Sequence, residues 1–167
     1  MNIVFIGVGT NMGDRIAQIK MAYAAIESAI GPIIKKSSYY KTPPFEFEST
    51  EDFINTVIKI ETKLSIVELL VALKKIEKLH GRLNQAPEKG YQDRPIDLDI
   101  LDFNNLKFSN KNLDVPHLKM HQRNFVIFPL AEIAPKWIHP ALNKGVNELM
   151  NDLRNDTLIE KYVELAN

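Results

Sequence analysis

The sequence predicts an α+β fold in which helices cover one antiparallel sheet. Strand-like apolar segments and two amphipathic helical segments are separated by glycine, proline and capping residues. Their order is strand, helix, strand, strand, helix, strand, which is typical of a ferredoxin-like sandwich, and the C-terminal third is an addition to it. No linker interrupts the 167 residues, so residues 1–167 are expected to form one domain, and the two helices of the sandwich are expected on one face of the sheet.

Apolar spacing and end signals give the bounds of each element. In chain order, the elements are a strand over Ile3 to Val8, a helix from an Asp14 cap to Gly31, strands over Ile33 to Tyr40 and Phe53 to Thr62, a helix from a Ser65 cap to Gly81, a strand over Pro95 to Phe103, and short helices over Phe125 to Ile133 and Val146 to Leu153.

Three local patterns refine these elements. Gly7 and Gly9 are interpreted as part of a tight turn that ends the first strand. Ser65 and Glu68 form a capping box. The apolar face of the second helix is expected to consist of Leu69, Leu70, Leu73, Ile76 and Leu79. Polar segments without periodicity predict long loops over Pro43 to Asp52 and Arg82 to Arg94.

Composition excludes several classes of function. The 21 basic and 21 acidic residues cancel, so no global charge draws the chain to nucleic acid or to an anionic membrane. No apolar run reaches the ~20 residues that span a bilayer, and the N-terminal apolar stretch lacks a signal-peptide pattern, so a cytoplasmic location is expected. The chain contains no cysteine, which leaves oxygen or imidazole ligands for any metal and makes Mg²⁺ the natural candidate.

The segment Asp97-Leu98-Asp99 is the first candidate for chemistry. Side chains of a strand alternate, so Asp97 and Asp99 share one face roughly 6.6 Å apart, a spacing that suits divalent ions bridging phosphate oxygens. The alternative is a solvated strand face without function. Cations nearby in sequence favour phosphate chemistry, because arginine donates to phosphate in pairs; they are Arg82, Arg94, His117, His121 and Arg123.

A second candidate site concerns a flat heterocycle. The rigid segment Thr42-Pro43-Pro44-Phe45 can present polar groups to the edge of a ring, and Asn55 carries both a donor and an acceptor. Phe53 and Phe125 can stack on the two faces of such a ring. Alternatively, both phenylalanines belong to the core and Asn55 bonds a neighbouring backbone group. The fingerprints of P-loop and Rossmann nucleotide sites are absent from the sequence.

A set of segments in this order along nearly the whole chain resembles a known family. The segments are Gly7 to Gly13, Ser38 to Pro44, Phe53 to Asn55, Ile76-Glu77 with Gly81-Arg82, Arg94 to Ile100, Val115 to His117, and Arg123 with Phe125. Together they resemble the 6-hydroxymethyl-7,8-dihydropterin pyrophosphokinase family of folate biosynthesis.

The resemblance implies an enzyme that transfers pyrophosphate from ATP to 6-hydroxymethyl-7,8-dihydropterin and releases AMP. It also implies two Mg²⁺ ions held by Asp97 and Asp99, with Arg82 and Arg94 on a mobile loop that completes the catalytic site. The implied ATP-binding residues are Glu77, Arg82, Arg94, Ile100, His117 and Arg123, and the implied pterin-binding residues are Thr42, Pro43, Phe45, Phe53, Asn55 and Phe125.

The chain departs from the family pattern at a few positions. Asn84 stands where many members have a further arginine, and Lys74 stands where glutamine is frequent. Gln92-Asp93-Arg94 replaces a Gly-Pro-Arg stretch, and Tyr91 is the nearest aromatic residue to a usual tryptophan. These differences concern contacts with the nucleotide and the alignment of the loop, and both aspartates are present. A monomer with this single activity is expected.

Two other classes of function remain as alternatives. A ferredoxin-like domain can be a non-catalytic sensor of small molecules, although a sensor has no need of two aspartates and two arginines together. A metal-dependent nuclease can use an aspartate pair, but the neutral charge balance argues against it.

Overall fold

The computed structural model describes residues 1–44, 51–81, 95–154 and 159–162. Its elements, in chain order, are β1 (Asn2–Thr10), α1 (Arg15–Ala29), β2 (Ile33–Lys36), β3 (Tyr39–Thr42), β4 (Phe53–Thr62), α2 (Ile66–Leu79), β5 (Asp97–Phe103), β6 (Phe108–Asn110), β7 (Leu113–Val115), a 3-10 turn (Met120–Gln122), α3 (Asn124–Ile133), α4 (Val146–Asp152) and β8 (Glu160–Tyr162). Helices long and apolar enough to cross a membrane are not found among these residues.

The main sheet is antiparallel and has β1 near its centre. The strand order is β5-β1-β4-β3-β8, and β2 pairs with β4 beside β3. β6 and β7 form a separate two-stranded sheet. The predicted order of strands and helices is confirmed except for the strand over Ile33 to Tyr40, and the α+β ferredoxin-like class is confirmed as well.

One face of the sheet carries a core with α1 and α2. Val4, Ile6 and Val8 alternate along β1 and pack with residues of both helices, among which Ile26 and Leu73 are fully buried. This alternation of inward side chains is what a half-buried strand requires. Burial of this continuous apolar layer is the main stabilising contribution of the face.

The other face carries a second core with α3 and α4. Phe5, Val57 and Leu101 point to this face and pack with residues such as Ile127 and Leu130. The sandwich helices α1 and α2 lie on one face as expected, and the C-terminal addition folds back over the opposite face. The addition covers only part of the second face. Asp97 and Asp99 lie on the same face.

The predicted strand over Ile33 to Tyr40 is two strands. Ser37 lies at the break, where its Oγ accepts a hydrogen bond from the Val57 N–H at 2.9 Å and bonds Thr56 Oγ1 at 2.9 Å. A side-chain hydroxyl thus takes the place of a backbone carbonyl in the ladder. The apolar pattern continues through the break, which explains why it predicted a single strand.

Smaller differences between the predicted and the observed elements occur where tertiary contacts determine the local structure. Leu79 is 76% exposed at the end of α2 and is not part of its apolar face. β6, β7 and β8 are three residues each and were not predicted, since their sequences carry little alternation. Both predicted caps are confirmed: Asp14 Oδ1 accepts from the Ala17 N–H at 3.0 Å, and Ser65 and Glu68 bond reciprocally.

Gly31 provides a test of the α1 to β2 connection. A Cβ at this position would lie 2.2 Å from the backbone oxygen of Glu61, with φ at +153°. We expect Gly31→Ala to lower the free energy of unfolding by about 2 kcal/mol, since backbone must move to accept it. Gly145→Ala is the matched control, because a Cβ there meets nothing within 4 Å. Urea denaturation measures both, and equal losses would contradict the steric argument.

Candidate active site

A row of four residues crosses the sheet at one end of the second face. Gly9 of β1 lies opposite Asn55 on one side and opposite Asp97 on the other, and Tyr40 lies opposite Asn55. Directly opposite residues present their side chains on the same face. The register therefore places a polar amide and a carboxylate on the two sides of a single glycine.

Gly9 forms the floor between these two groups. A Cβ at Gly9 would lie 2.7 Å from Asn55 Oδ1 and 3.9 Å from a ring carbon of Phe53. Gly9 is inside β1, so the interpretation of Gly7 and Gly9 as a turn is wrong. The physical reason for glycine is lateral crowding by Asn55, which a turn signal does not report.

The polar side of Gly9 consists of buried side chains. Asn55 Nδ2 donates a hydrogen bond to Thr42 Oγ1 at 3.0 Å, and both residues are buried. This bond orients the amide so that Oδ1 faces the space above Gly9. Phe53 lies opposite Thr42 in the strand pair and is partly buried. Pro43 follows β3 directly and is exposed.

The acidic side of Gly9 consists of Asp97 and Asp99. They lie opposite Gly9 and Gly7 and are only partly accessible, as predicted from alternation along the strand. Burial and the neighbouring Asp97 charge raise the pKa of Asp99 well above its usual range, and Arg123 and Lys74 counteract this in part. Two neighbouring carboxylates in a partly buried place favour binding of a cation, because a cation relieves the cost of charging both.

Arg123 and Phe125 approach the site from the start of α3. Arg123 is the N-terminal boundary residue of α3 and is 8% exposed, and its guanidinium carbon lies 5.7 Å from the Phe125 ring centroid. Such an arrangement is a cation–π contact. The start of α3 thus presents a cation and an aromatic ring together, and the cation is near enough to influence Asp99.

His117 adds a neutral donor beside these charges. Its backbone N–H donates to the Leu101 carbonyl at 3.0 Å, and its Nδ1 accepts from the Lys119 N–H at 3.2 Å. Burial and the Arg123 charge lower the pKa of His117 to about 4, although Asp97 opposes them. At neutral pH the proton therefore sits on Nε2, which can donate to an anion.

Glu77 occupies a buried position between α2 and β5. Its Oε1 accepts from the Leu98 N–H at 2.8 Å, and its Oε2 bonds Lys74 Nζ at 3.1 Å. β5 is an edge strand, so this carboxylate satisfies an outward N–H between the two aspartates. The contacts in the structure tie Glu77 to the strand that carries the acidic pair.

Ile100 lies apart from this group. The Ile100 side chain is 3% exposed in the core with α1 and α2, on the face opposite the aspartates. Of Ile100, only the backbone at the edge of β5 is placed to contact a nucleotide base. Phe45, Arg82 and Arg94 lie outside the described residues, so their predicted roles stay predictions.

The fold and site together define a small α+β protein in which a buried amide and an acidic pair lie on the two sides of one glycine. Residues 5–135 match the family described as 7,8-dihydro-6-hydroxymethylpterin-pyrophosphokinase (HPPK). The chain belongs to this family.

Relatives and solved structures agree with this assignment. A Porphyromonas gingivalis protein named 2-amino-4-hydroxy-6-hydroxymethyldihydropteridine pyrophosphokinase is 36% identical over 84% of this chain and 95% of its own length. A protein of the same name from Aquifex aeolicus is 38% identical over 89% of this chain and 90% of its own. A solved Plasmodium falciparum HPPK-DHPS chain has a TM-score of 0.73 at 18% identity, covering 90% of this chain and 43% of that one. This chain thus spans less than half of that longer protein, and the likeness concerns the fold.

Asp99 provides a test of the electrostatics in the metal-free protein. Because its pKa is raised on folding, the charged form lowers stability as pH rises above the unfolded value of about 4. We expect Asp99→Asn to raise the unfolding temperature by a few degrees at pH 8 and to give no gain at pH 4. Calorimetry with a chelator present measures this. A loss of stability at pH 8 would show that the carboxylate is not under repulsion.

Proposed function

We propose that this protein transfers the pyrophosphoryl group of ATP to 6-hydroxymethyl-7,8-dihydropterin, giving AMP and the pterin diphosphate in folate biosynthesis. The observation that carries the proposal is the row Asn55, Gly9 and Asp97, which sets the Asn55 amide and the Asp97 carboxylate on the two sides of one glycine. A pterin and the phosphates of ATP would meet above Gly9. Family membership supports the same reaction.

The pterin side uses the groups around Asn55. Asn55 Nδ2 is engaged by Thr42, so Oδ1 is positioned to accept from a ring N–H or amino group. Phe53 beside Gly9 and Phe125 at the start of α3 would stack on the two ring faces. Pro43 and Phe45 would complete the edge contacts.

The acidic pair fits Mg²⁺. In the described part of the chain, no cluster of three or more histidine, aspartate or glutamate side chains gathers to hold a metal. Two carboxylates suit Mg²⁺, which keeps water and takes substrate phosphates as its other ligands. Asp97 and Asp99 would hold two ions. When bound, Mg²⁺ neutralises phosphate charge and makes the β-phosphorus more electrophilic.

The protein's own groups then bind and orient the reactants. Arg123 and the neutral His117 Nε2–H would donate to phosphate oxygens, and Arg82 and Arg94 would add positive charge. The hydroxymethyl oxygen bonds to the β-phosphorus, the bridging bond to the α-phosphate oxygen breaks, and AMP leaves. The hydroxyl proton passes to solvent, and positioning and charge neutralisation carry the rate.

The nucleotide base would lie along β5. Glu77 organises this edge through Leu98, and alternation along the strand directs the Ile100 N–H to the same edge. Lys74, half exposed and paired with Glu77, would contact the nucleotide in place of the glutamine frequent in the family. We further propose a cytoplasmic monomer with one domain over residues 1–167 and no nucleic acid or membrane partner. The equal numbers of basic and acidic residues support the absence of those two partners.

The reaction is tested by mixing the protein with ATP, Mg²⁺ and 6-hydroxymethyl-7,8-dihydropterin and separating nucleotides by chromatography. AMP with pterin diphosphate is the expected result. ADP would mean ordinary phosphoryl transfer, and no turnover would favour the sensor alternative.

Asp97→Asn is expected to lower the rate by at least about 10²-fold, because it removes a charged metal ligand. Mg²⁺ should raise the unfolding temperature of the wild-type protein in the presence of ATP and should do so less for the variant. Asp114→Asn is the control, since Asp114 bonds Ser109 in the β6–β7 sheet. Full activity of Asp97→Asn would refute the metal assignment.

Gly9→Ala tests the shared floor. The added methyl group would displace the Asn55 amide, so we expect KM for the pterin to rise about tenfold or more while the protein stays folded. Steady-state kinetics at saturating ATP measure this, with Gly145→Ala as the matched control. An unchanged KM would exclude Gly9 and Asn55 from the pterin site.

A further inference from the structure

Glu132 lies in the last turn of α3 and contacts groups of the main sheet, and the proposed reaction does not use it. Its Oε1 accepts hydrogen bonds from the Ser38 N–H at 3.0 Å and from the Ser38 hydroxyl at 2.8 Å. Its Oε2 accepts from the Tyr40 hydroxyl at 2.8 Å and lies 3.6 Å from Lys161 Nζ. Four donors thus converge on one carboxylate, from β3, from the residue before it and from β8.

These contacts keep Glu132 charged and Tyr40 protonated. Burial favours the neutral form of Glu132, but hydrogen bonds from Ser38 and Tyr40 outweigh it, so the pKa of Glu132 is lowered. Burial and the bond to Glu132 raise the pKa of Tyr40 well above its usual value. At neutral pH the hydroxyl therefore donates to a carboxylate, and such a charge-assisted bond is stronger than one between neutral groups.

Tyr40 extends the row of residues that crosses the site. It lies opposite Asn55 on one side and opposite Lys161 on the other. Thr42, which bonds the Asn55 amide, is two residues further along β3 and therefore on the same face. Tyr40 is 5% exposed and its hydroxyl is held by Glu132, so it is a fixed neighbour of Asn55.

α3 connects Glu132 to the aromatic ring at the start of the helix. Phe125 and Glu132 are seven residues apart, which is about two turns, so both lie on the same side of α3. The last turn is also tied to β2, where Lys35 Nζ donates to the Ile133 carbonyl at 3.2 Å. Leu130 is fully buried in the second core. The docking of the last turn therefore helps to set the place of Phe125 above the sheet.

We propose that Glu132 is a positioning residue for the pterin, because its bonds to β3 set the distance between the Phe125 ring and the Asn55 amide. The assignment of Phe125 and Asn55 to the pterin rests on the proposed function. A heterocycle stacked on Phe125 reaches Asn55 Oδ1 with its edge only when helix and strand are correctly spaced. Loss of Glu132 would leave Ser38 and Tyr40 without their acceptor and would release this spacing.

Two substitutions of Glu132 separate positioning from charge. Glu132→Ala removes all four contacts. Glu132→Gln keeps an oxygen that accepts from Ser38, and its amide N–H can donate to the Tyr40 hydroxyl oxygen. We expect Glu132→Ala to weaken binding of 6-hydroxymethylpterin about three- to tenfold. Glu132→Gln is expected to bind the pterin like the wild type.

The nucleotide provides the comparison within the same protein. Its proposed ligands Asp97 and His117 lie outside α3, so they do not depend on the docking of this helix. We expect Glu132→Ala to weaken binding of α,β-methylene-ATP with Mg²⁺ less than about twofold. Calorimetric titration measures both ligands, with the pterin titrated into protein that is saturated with the nucleotide analogue.

Tyr40→Phe tests the route through the hydroxyl. It keeps the ring and removes only the bond to Glu132 Oε2. We expect weaker pterin binding, and we expect Glu132→Ala with Tyr40→Phe to lose less binding free energy than the sum of the two single losses. Ile26→Val is the control for lost stability in urea denaturation, since Ile26 is buried in the core of the other face. Its affinity for both ligands should be unchanged.

Three results would overturn the proposal. Equal losses of pterin and nucleotide affinity in Glu132→Ala, or no loss of either, would leave Glu132 a purely structural role. A Glu132→Gln variant as weak as Glu132→Ala would show that these hydrogen bonds do not set pterin affinity. Additive losses in the double variant would exclude the route through Tyr40. Wild-type protein that binds no pterin would instead overturn the proposed function, and the positioning role with it.

Discussion

The register of β1 between β4 and β5 is the constraint on which the rest of the site depends. It sets Asn55 and Asp97 on the two sides of Gly9, so that groups distant in sequence become lateral neighbours. Backbone hydrogen bonds and the alternating apolar residues Val4 and Ile6 fix this register, because a slip of one residue would expose the core. The same register therefore determines both the stability of the first core and the geometry of the site on the second face.

Charge is the second organising factor. Burial and the neighbouring Asp97 charge raise the pKa of Asp99, while Arg123 and Lys74 lower it in part. Among the described residues, these two cations do not cancel the effect, so the pKa of Asp99 stays raised. In the proposed reaction, substrate phosphates would add negative charge, which Mg²⁺ ions and arginines would offset. Repulsion at Asp99 lowers the stability of the protein, and a bound cation would relieve it. Such a loss of stability is frequent at active sites.

Much of this follows from sequence. Periodicity gave the bounds of β4, and the capping pattern gave the start of α2, because both are local properties. Alternation placed both aspartates on one face. What the sequence did not reveal depends on partners far along the chain: the helices on the second face, the strand break at Ser37, and the glycine at position 9 that makes room for Asn55.

Alternation along β5 has a consequence for how relatives can vary in length. Leu98 and Ile100 fill one core while Asp97 and Asp99 face the other side, and Leu101 then packs in the second core. Deletion or insertion of one residue within this strand would point the carboxylates into an apolar core and expose two large apolar side chains. Insertions and deletions should therefore be purged from β5 and tolerated in connections that bear no alternating pattern.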